Sequence, residues 1–548
     1  MKKWIALALA LILALCACAG FAETSGEERY LKATLQLNDT LSGLKPISST
    51  GYTFLMQWLF GSLMRYDVEK EEFVPALAEK CEVSEDGTVY TLTLRDGIAF
   101  SDGVPITADD VVFTYTWAIR GSFLRYAKLS LIEGFAEARS GEATEVSGIQ
   151  KIDEKTVSFT LTQPNCLFME ALCNGCFAIL PSHCFPGIES ASEINGDAAF
   201  WEKPVSSGAY YVSETHYPNY IVLTRNENYY DVSGIEHILC TYYADQEASY
   251  AAMIEGNIDI MTGLEEENAL NITRQNPDIT STITDSTYHR WLWVNTSSVA
   301  GENGEQPHPS LKNQNVRHAL NMLFDRDAIC QLYGSLAVPT NTCLNPKSSL
   351  YNTNIPAPVR DVEGAKKILD EEGYDYSIPL KIYANYTDQI TVDFCELVVQ
   401  NFADAGVAVE YYIDGNWQNH LAYTEYDLRY AANSSFNVID FFALEACVGK
   451  WGENSNNYPV SSEEFHAYQE PRYDQLIDAY KRTLDPVEQK DILDQLQYNA
   501  FEDMCMFQLY CLNSMNLYNT AHFTGYPDCA SDYSEVMDFH FSDWKFVD

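Results

Sequence analysis

Cysteines, histidines and paired carboxylates are the residues whose spacing in this chain invites a chemical reading. Cys173-Asn-Gly-Cys176, with His183 and Cys184 close behind, is the one cluster spaced like a metal site, because thiolate and imidazole donors a few residues apart suit tetrahedral zinc. The same stretch ends the apolar run Cys166-Leu-Phe-Met-Glu-Ala-Leu-Cys173, where cysteines pack as small hydrophobes. A structural metal, a disulfide and free thiols all stay open. Of 15 cysteines, Cys16 and Cys18 lie near the N-terminus; the other thirteen, from Cys81 to Cys529, are an odd number that disulfides alone do not use up. Asp109-Asp110 and Glu265-Glu266-Glu267 have the composition of acid/base sites. With 78 acidic residues, however, adjacent carboxylates arise readily as solvated faces and helix starts. The Gly-x-Ser-x-Gly elbow, the phosphate loop, the His-Glu-x-x-His zinc site and the EF-hand loop are all absent from the sequence. No catalytic residue, cofactor or metal is assigned, and the chain is read as a non-enzyme.

The balance of 34 Lys+Arg against 78 Asp+Glu leaves a formal net charge of -44. Such a surface repels phosphate backbones and anionic lipid, which excludes a nucleic-acid partner. With 46% hydrophobic and 20% charged residues the chain buries a large core, and 548 residues predict about three or four folding units. Lys2 and Lys3, the apolar run Trp4 to Leu15 and small residues up to Ala22 have the layout of a secretory signal peptide over residues 1–22. Leu15-Cys16-Ala17-Cys18 fits a lipobox resembling that of bacterial lipoproteins, with Cys18 lipidated, while Gly20-Phe21-Ala22 before Glu23 fits ordinary cleavage, leaving a secreted or periplasmic protein. No later stretch reaches the roughly 18 apolar residues that span a bilayer, so membrane attachment is expected through lipid only.

The elements that must position these residues alternate. Tyr30 to Leu37 has the two-residue period of a strand, and a helix follows from about Tyr52 to Leu63. The segment Cys81 to Leu94 reads as strand, Asp-Gly turn and strand, and Val146 to Leu161 repeats it. Thr107-Ala-Asp-Asp110 starts a helix, with the Thr hydroxyl as cap and the carboxylates at the positive end of the dipole. From about residue 205 strands alternate with helices, including helices predicted over Gln246 to Ile254, Asn315 to Tyr333, Val362 to Glu372 and Val392 to Ala405. No Pro- or Gly-rich linker separates these regions, which predicts lobes crossed by several chain passes.

The run Leu92-Thr-Leu-Arg95-Asp-Gly97-Ile-Ala-Phe100-Ser-Asp102-Gly103-Val-Pro105-Ile-Thr107-Ala-Asp109-Asp110-Val-Val-Phe113 resembles the signature of the family 5 extracellular solute-binding proteins, the oligopeptide and dipeptide receptors of ABC importers. Further blocks follow in that family's order: Pro75-Ala-Leu-Ala-Glu79, Val205-Ser-Ser-Gly208-Ala-Tyr210, Arg225-Asn226-Glu-Asn228-Tyr229-Tyr230, Glu255-Gly256-Asn-Ile-Asp259, Val316-Arg317-His-Ala319-Leu320 and Ala365-Lys-Lys-Ile-Leu369. Most of these residues read as scaffold: Gly97 and Gly103 supply turns and Arg95 is expected to pair with a carboxylate. Ser207 and Ala209 depart from the family's turn.

The resemblance implies an α/β, bilobal, periplasmic-binding-protein-like type II fold with an extra inserted domain. Lobe I is expected from 23–66, 205–290 and 521–548, the insert from 67–204 and lobe II from 291–520. It further implies a monomer that closes on a peptide in the interlobe cleft and docks on an ABC permease with its ATPase subunits. Candidate ligand-binding residues are Asp440, Asn437, Phe436 and Asn433 in one lobe and Asn38 and Asp39 in the other. Asp440 is expected to pair with the peptide ammonium. Trp291 and Trp417, with Trp293 and Trp451, offer stacking faces, although each such residue more often packs a core. An oligosaccharide receptor on the same fold, favoured by 36 Tyr, 26 Phe and 9 Trp, is the alternative, and a secreted hydrolase the more distant one.

Overall fold

A computed structural model describes residues 29–35, 53–67, 72–121, 123, 126–188, 190–216, 219–264, 266–285, 288–296, 307–416, 426–434, 439, 441–442, 470–526 and 540–548. Asp440, Asn437, Phe436, Asn38, Asp39, Trp417, Trp451 and Cys18 lie outside the described residues, and Asn433 is described by its backbone only.

The first sheet has seven strands. At its centre β1 (Tyr30–Leu35) pairs in parallel with β10 (His237–Tyr242) and β11 (Ile260–Leu264). Antiparallel β9 (Tyr220–Arg225) and β8 (Tyr210–His216) extend one side, and β19 (Ser514–Asn519) followed by β12 (Ile279–Thr284) extends the other.

The second sheet has the order β14 (Ala337–Pro339), β18 (Met506–Leu512), β13 (Tyr288–Val294), β17 (Leu428–Ser434), β15 (Leu380–Ala384), β16 (Val409–Ile413). Here β15, β16 and β17 run parallel. Helices such as Gln389–Ala403 bury Phe394, Val398 and Phe402 against it, in one core with Leu292, Val294 and Leu428. That α/β layering is the bilobal, type II arrangement expected.

The inserted domain is a four-stranded antiparallel sheet, β4 (Ala78–Val83), β5 (Val89–Leu94), β7 (Thr156–Thr160), β6 (Ile149–Lys151), under the helix Ala108–Arg120. Its core is continuous with that of the first sheet: Leu92, Val111 and Phe159 belong to the same buried cluster as Trp58, Leu223 and Trp544. Two short ribbons, β2 (Met64–Asp67) with β3 (Glu72–Pro75) and β20 (Phe523–Thr524) with β21 (Lys545–Phe546), complete the sheets. At the departing turn Ser207 is buried, donating to Ile179 O at 2.7 Å and accepting from Gly61 N at 3.1 Å. Gly208 is packed so closely that a Cβ there would lie 2.5 Å from Trp58 O, which fixes glycine at this position.

Four expectations need correction. Residues 514–519 belong to the first sheet and not to lobe II, because β19 lies between β11 and β12 and pairs antiparallel with both. The single helix expected over 315–333 is two, Gln314–Asn321 and Arg326–Gln331. Asp325 starts a new N-terminus there by accepting from Ala328 N at 3.0 Å. Arg95 pairs with no carboxylate among the described residues: its Nε donates to Ala76 O at 2.6 Å and its guanidinium lies 4.6 Å over the Tyr230 ring. The cap at Thr107 runs largely through Asp110, whose Oδ2 accepts from Thr107 N at 2.9 Å and from its hydroxyl at 3.1 Å.

Candidate functional site

Strand direction alone locates the edge where a ligand meets this fold. The parallel strands β1, β10 and β11 end at Leu35, Tyr242 and Leu264, and β12, which shares their direction, ends at Thr284. In the second sheet β15, β16 and β17 end at Ala384, Ile413 and Ser434, and β18 ends at Leu512. The chain leaves the first sheet at Thr284 and enters the second at Tyr288; it returns from Leu512 through Asn513 to Ser514. Both crossings therefore join the carboxyl-end edges of the two sheets, the place where open α/β sheets bind ligands.

The crossings are tied together. Asn513, 4% exposed, donates from Nδ2 to Asp285 Oδ1 at 3.0 Å, and Asn345 donates to Asn513 Oδ1 at 3.2 Å. Lys347 Nζ also reaches Asp285 Oδ1, at 2.8 Å. Above the crossings, Ser335 of the second lobe donates its N–H at 2.7 Å and its hydroxyl at 2.5 Å to the carboxylate of Glu266, the first residue of the first-lobe helix Glu266–Gln275.

One charged group stands out on the second lobe's edge. Arg290, the third residue of β13, is buried, and its Nε and Nη1 have no hydrogen-bond partner among the described residues. Rings surround it instead: its guanidinium carbon lies 3.9 Å from the Tyr386 centroid, 5.0 Å from Tyr430 and 5.3 Å from Tyr288. Burial pushes the Tyr430 and Tyr510 phenols far above their ordinary range, so they stay neutral and chain their hydroxyls, Tyr430 to Tyr510 at 2.6 Å and Tyr510 to Tyr333 at 2.8 Å. The guanidinium, always charged, thus has π-faces but no counter-ion among the described residues. Asn385, immediately after β15, and Ser514, at the start of β19, likewise keep Asn385 Oδ1 and Ser514 Oγ buried without a partner among the described residues.

Of the candidates read from the sequence, Trp291 is corrected: it is 1% exposed, stacked on His289 with centroids 4.8 Å apart and set edge-on to Phe441 at 5.6 Å. Strand alternation puts it on the face of β13 that packs against Ile439, Phe442 and Tyr473. Trp293 shares that face and lies under the Arg429 guanidinium at 5.7 Å. Asn433 pairs with His289 one residue from the carboxyl end of β17. Arg290 was missed, although a charge among Tyr288, Leu292 and Val294 on one strand face was a readable signal.

The thiols also resolve. Cys173 and Cys176 are buried in the hydrophobic core, and neither belongs to the one His/Cys/Asp/Glu group among the described residues that could hold a metal ion. Cys505 is disulfide-bonded.

Two α/β lobes joined by two crossings at their ligand-binding edges, with a third domain packed on the first, define a bilobal solute-binding protein. The chain belongs to the bacterial extracellular solute-binding proteins, family 5, whose profile matches residues 72–499. It is 26% identical over 371 residues to a candidate ABC transporter peptide-binding protein of Brucella ovis, covering 66% of this chain and 64% of that one, so less than two thirds of that relative's length is spanned. The periplasmic murein peptide-binding protein MppA of Escherichia coli is 24% identical over 86% of this chain and 85% of its own. Among solved structures, the ABC transporter substrate-binding protein CtaP of Listeria monocytogenes superposes with a TM-score of 0.76 at 19% identity, covering 96% of this chain and 100% of that one, a likeness of fold. No described helix is long and apolar enough to cross a membrane.

Proposed function

We propose that this chain is the extracellular receptor of an ABC importer, anchored through a lipid on Cys18, and that it captures peptides between its lobes and hands them to a permease without chemical change. The observation that carries this reading is the pair of crossings at the facing carboxyl-end edges. In this reading the ligand lies between those edges, where strand-end backbone groups would bind an extended peptide with little regard to its side chains. The names of the Brucella and MppA relatives point to the same cargo. Arg290 fits the ligand's carboxylate, and Asp440 its ammonium, since either charge left unpaired in a closed cleft is costly. The oligosaccharide reading loses one of its platforms with Trp291 in the core. Native mass spectrometry of the purified protein tests the proposal: co-purifying peptide masses, recovered intact, support it, whereas a bound sugar or a cleaved peptide overturns it.

A further inference from the structure

The inserted domain holds a second constellation, remote in sequence from the cleft residues. Asp102, His183 and Cys184 bring one oxygen, one nitrogen and one sulfur donor within 4.8 Å of one another. This is the one His/Cys/Asp/Glu group among the described residues that could hold a metal ion. The pattern Cys173-x-x-Cys176 had drawn attention to this stretch, but the core takes those two thiols and a residue 81 positions from His183 completes the set.

Both arms are held by the scaffold before any ion arrives. Asp102 sits in the hairpin closed by the Ala99–Pro105 bridge, next to Gly103 at φ +86°. Its Oδ1 accepts from Val104 N at 3.1 Å, which turns Oδ2 toward His183 Nε2, 2.8 Å away. The opposite arm is the single helical turn Ser182–Cys184, pinned because Asp110 Oδ1 accepts from Ser182 N at 3.0 Å and from its hydroxyl at 2.7 Å. The Phe100 ring backs the imidazole at 5.5 Å. His183 and Asp102 are each about one third exposed, at 32% and 34% of their side chains, while Cys184 is half-buried, so solvent reaches one side of the group. Asp110 and Asp197 add negative charge around the thiol, and nothing cationic offsets it among the groups acting on that thiol.

We propose that Asp102, His183 and Cys184 form a three-ligand site for a divalent transition-metal ion, with a water in the fourth position. Mixed sulfur, nitrogen and oxygen donors at about 2.0–2.3 Å are the set zinc prefers and one that calcium and magnesium avoid. On binding, the proton that His183 Nε2 shares with Asp102 Oδ2 leaves Nε2 by a solvent-mediated shift of the neutral imidazole to its Nδ1–H tautomer, both atoms then bond the ion, and the Cys184 thiol releases its proton to solvent as the S–metal bond forms. The ion would clip the Asp102 hairpin to the 181–185 segment and so brace the inserted domain.

Cobalt(II) is the probe, because a thiolate ligand gives it a charge-transfer band that carboxylate and imidazole do not. The full-length mature chain, stripped with a chelator, should develop that band and saturate at one equivalent. Cys184→Ser should lose the band while keeping the native far-ultraviolet spectrum. His183→Ala should weaken cobalt binding by at least the roughly 10–100-fold that even outer-shell changes cost a metal site. Cys81→Ser, which alters a free thiol on β4, should leave the titration unchanged. No band at one equivalent, or a band that survives Cys184→Ser, overturns the site.

Discussion

Asn513 donates to Asp285 across 3.0 Å, and these two residues stand on the two separate chain crossings between the lobes. This hydrogen bond fastens one crossing to the other, so the pair is expected to bend as one hinge. Asp285→Ala leaves the buried Asn513 amide short of an acceptor and should lower unfolding stability by about 1–2 kcal/mol. A denaturant midpoint equal to that of the parent protein would show that the crossings are not coupled through this contact.

Closure should follow from the same hinge. Added peptide is expected to reduce the radius of gyration measured by X-ray scattering, because it bridges both edges. An unchanged radius at saturation removes hinge closure.

Arg290→Met should move affinity and stability in opposite directions. It removes a buried charge that has no counter-ion among the described residues and should raise the unfolding stability by about 1 kcal/mol or more. It should also cost peptides with a free carboxylate about 2–5 kcal/mol of binding. C-terminally amidated peptides, lacking that charge, should lose far less. Equal losses for both ligand types would place Arg290 outside the site.

Asp440→Asn gives the complementary test at the other end of the ligand. Free-amine peptides should bind more weakly by about 2–5 kcal/mol, and N-acetylated peptides should be little changed. Equal weakening of both, or of neither, removes Asp440 from ammonium binding.

Thiol reactivity should be low and steeply dependent on pH. Burial, with Glu82 adding to it, raises Cys81 to about 11, and burial raises Cys166 to about 11. At pH 8 each should alkylate roughly 100-fold more slowly than an ordinary thiol, gaining about tenfold per pH unit. Below about 9 these thiols are protonated in both the folded and unfolded chain. Above that the unfolded chain ionises first, so their contribution to stability falls between about 9 and 11. Rapid labelling of either residue at pH 8 would contradict this.

The sequence disclosed what is local. The strand over residues 89–94, the positive-φ turn at Gly87 and the helix starting at Ala108 all follow from alternation, glycine and capping within a few residues. What escaped it is long-range. The strand Ser514–Asn519 joins partners some 230–260 positions away, which no periodicity encodes. Asp102 meets His183 across 81 residues. For Arg290 the local signal was present, a charge on one strand face with Tyr288, Leu292 and Val294, but its surroundings were not: the pairing with β17 and the Tyr386 ring beside it are long-range.

The inserted domain also touches the lobe it does not belong to. Cys166 donates its N–H to Lys481 O at 2.8 Å, and its sulfur lies 3.3 Å from Tyr480 O, at the last turn of the second-lobe helix Gln475–Arg482. The two lobes are thus fastened at the hinge and again at this distant corner. Any opening that does not pivot on that corner must break it, so the time a captured molecule stays bound depends on a contact that molecule never makes.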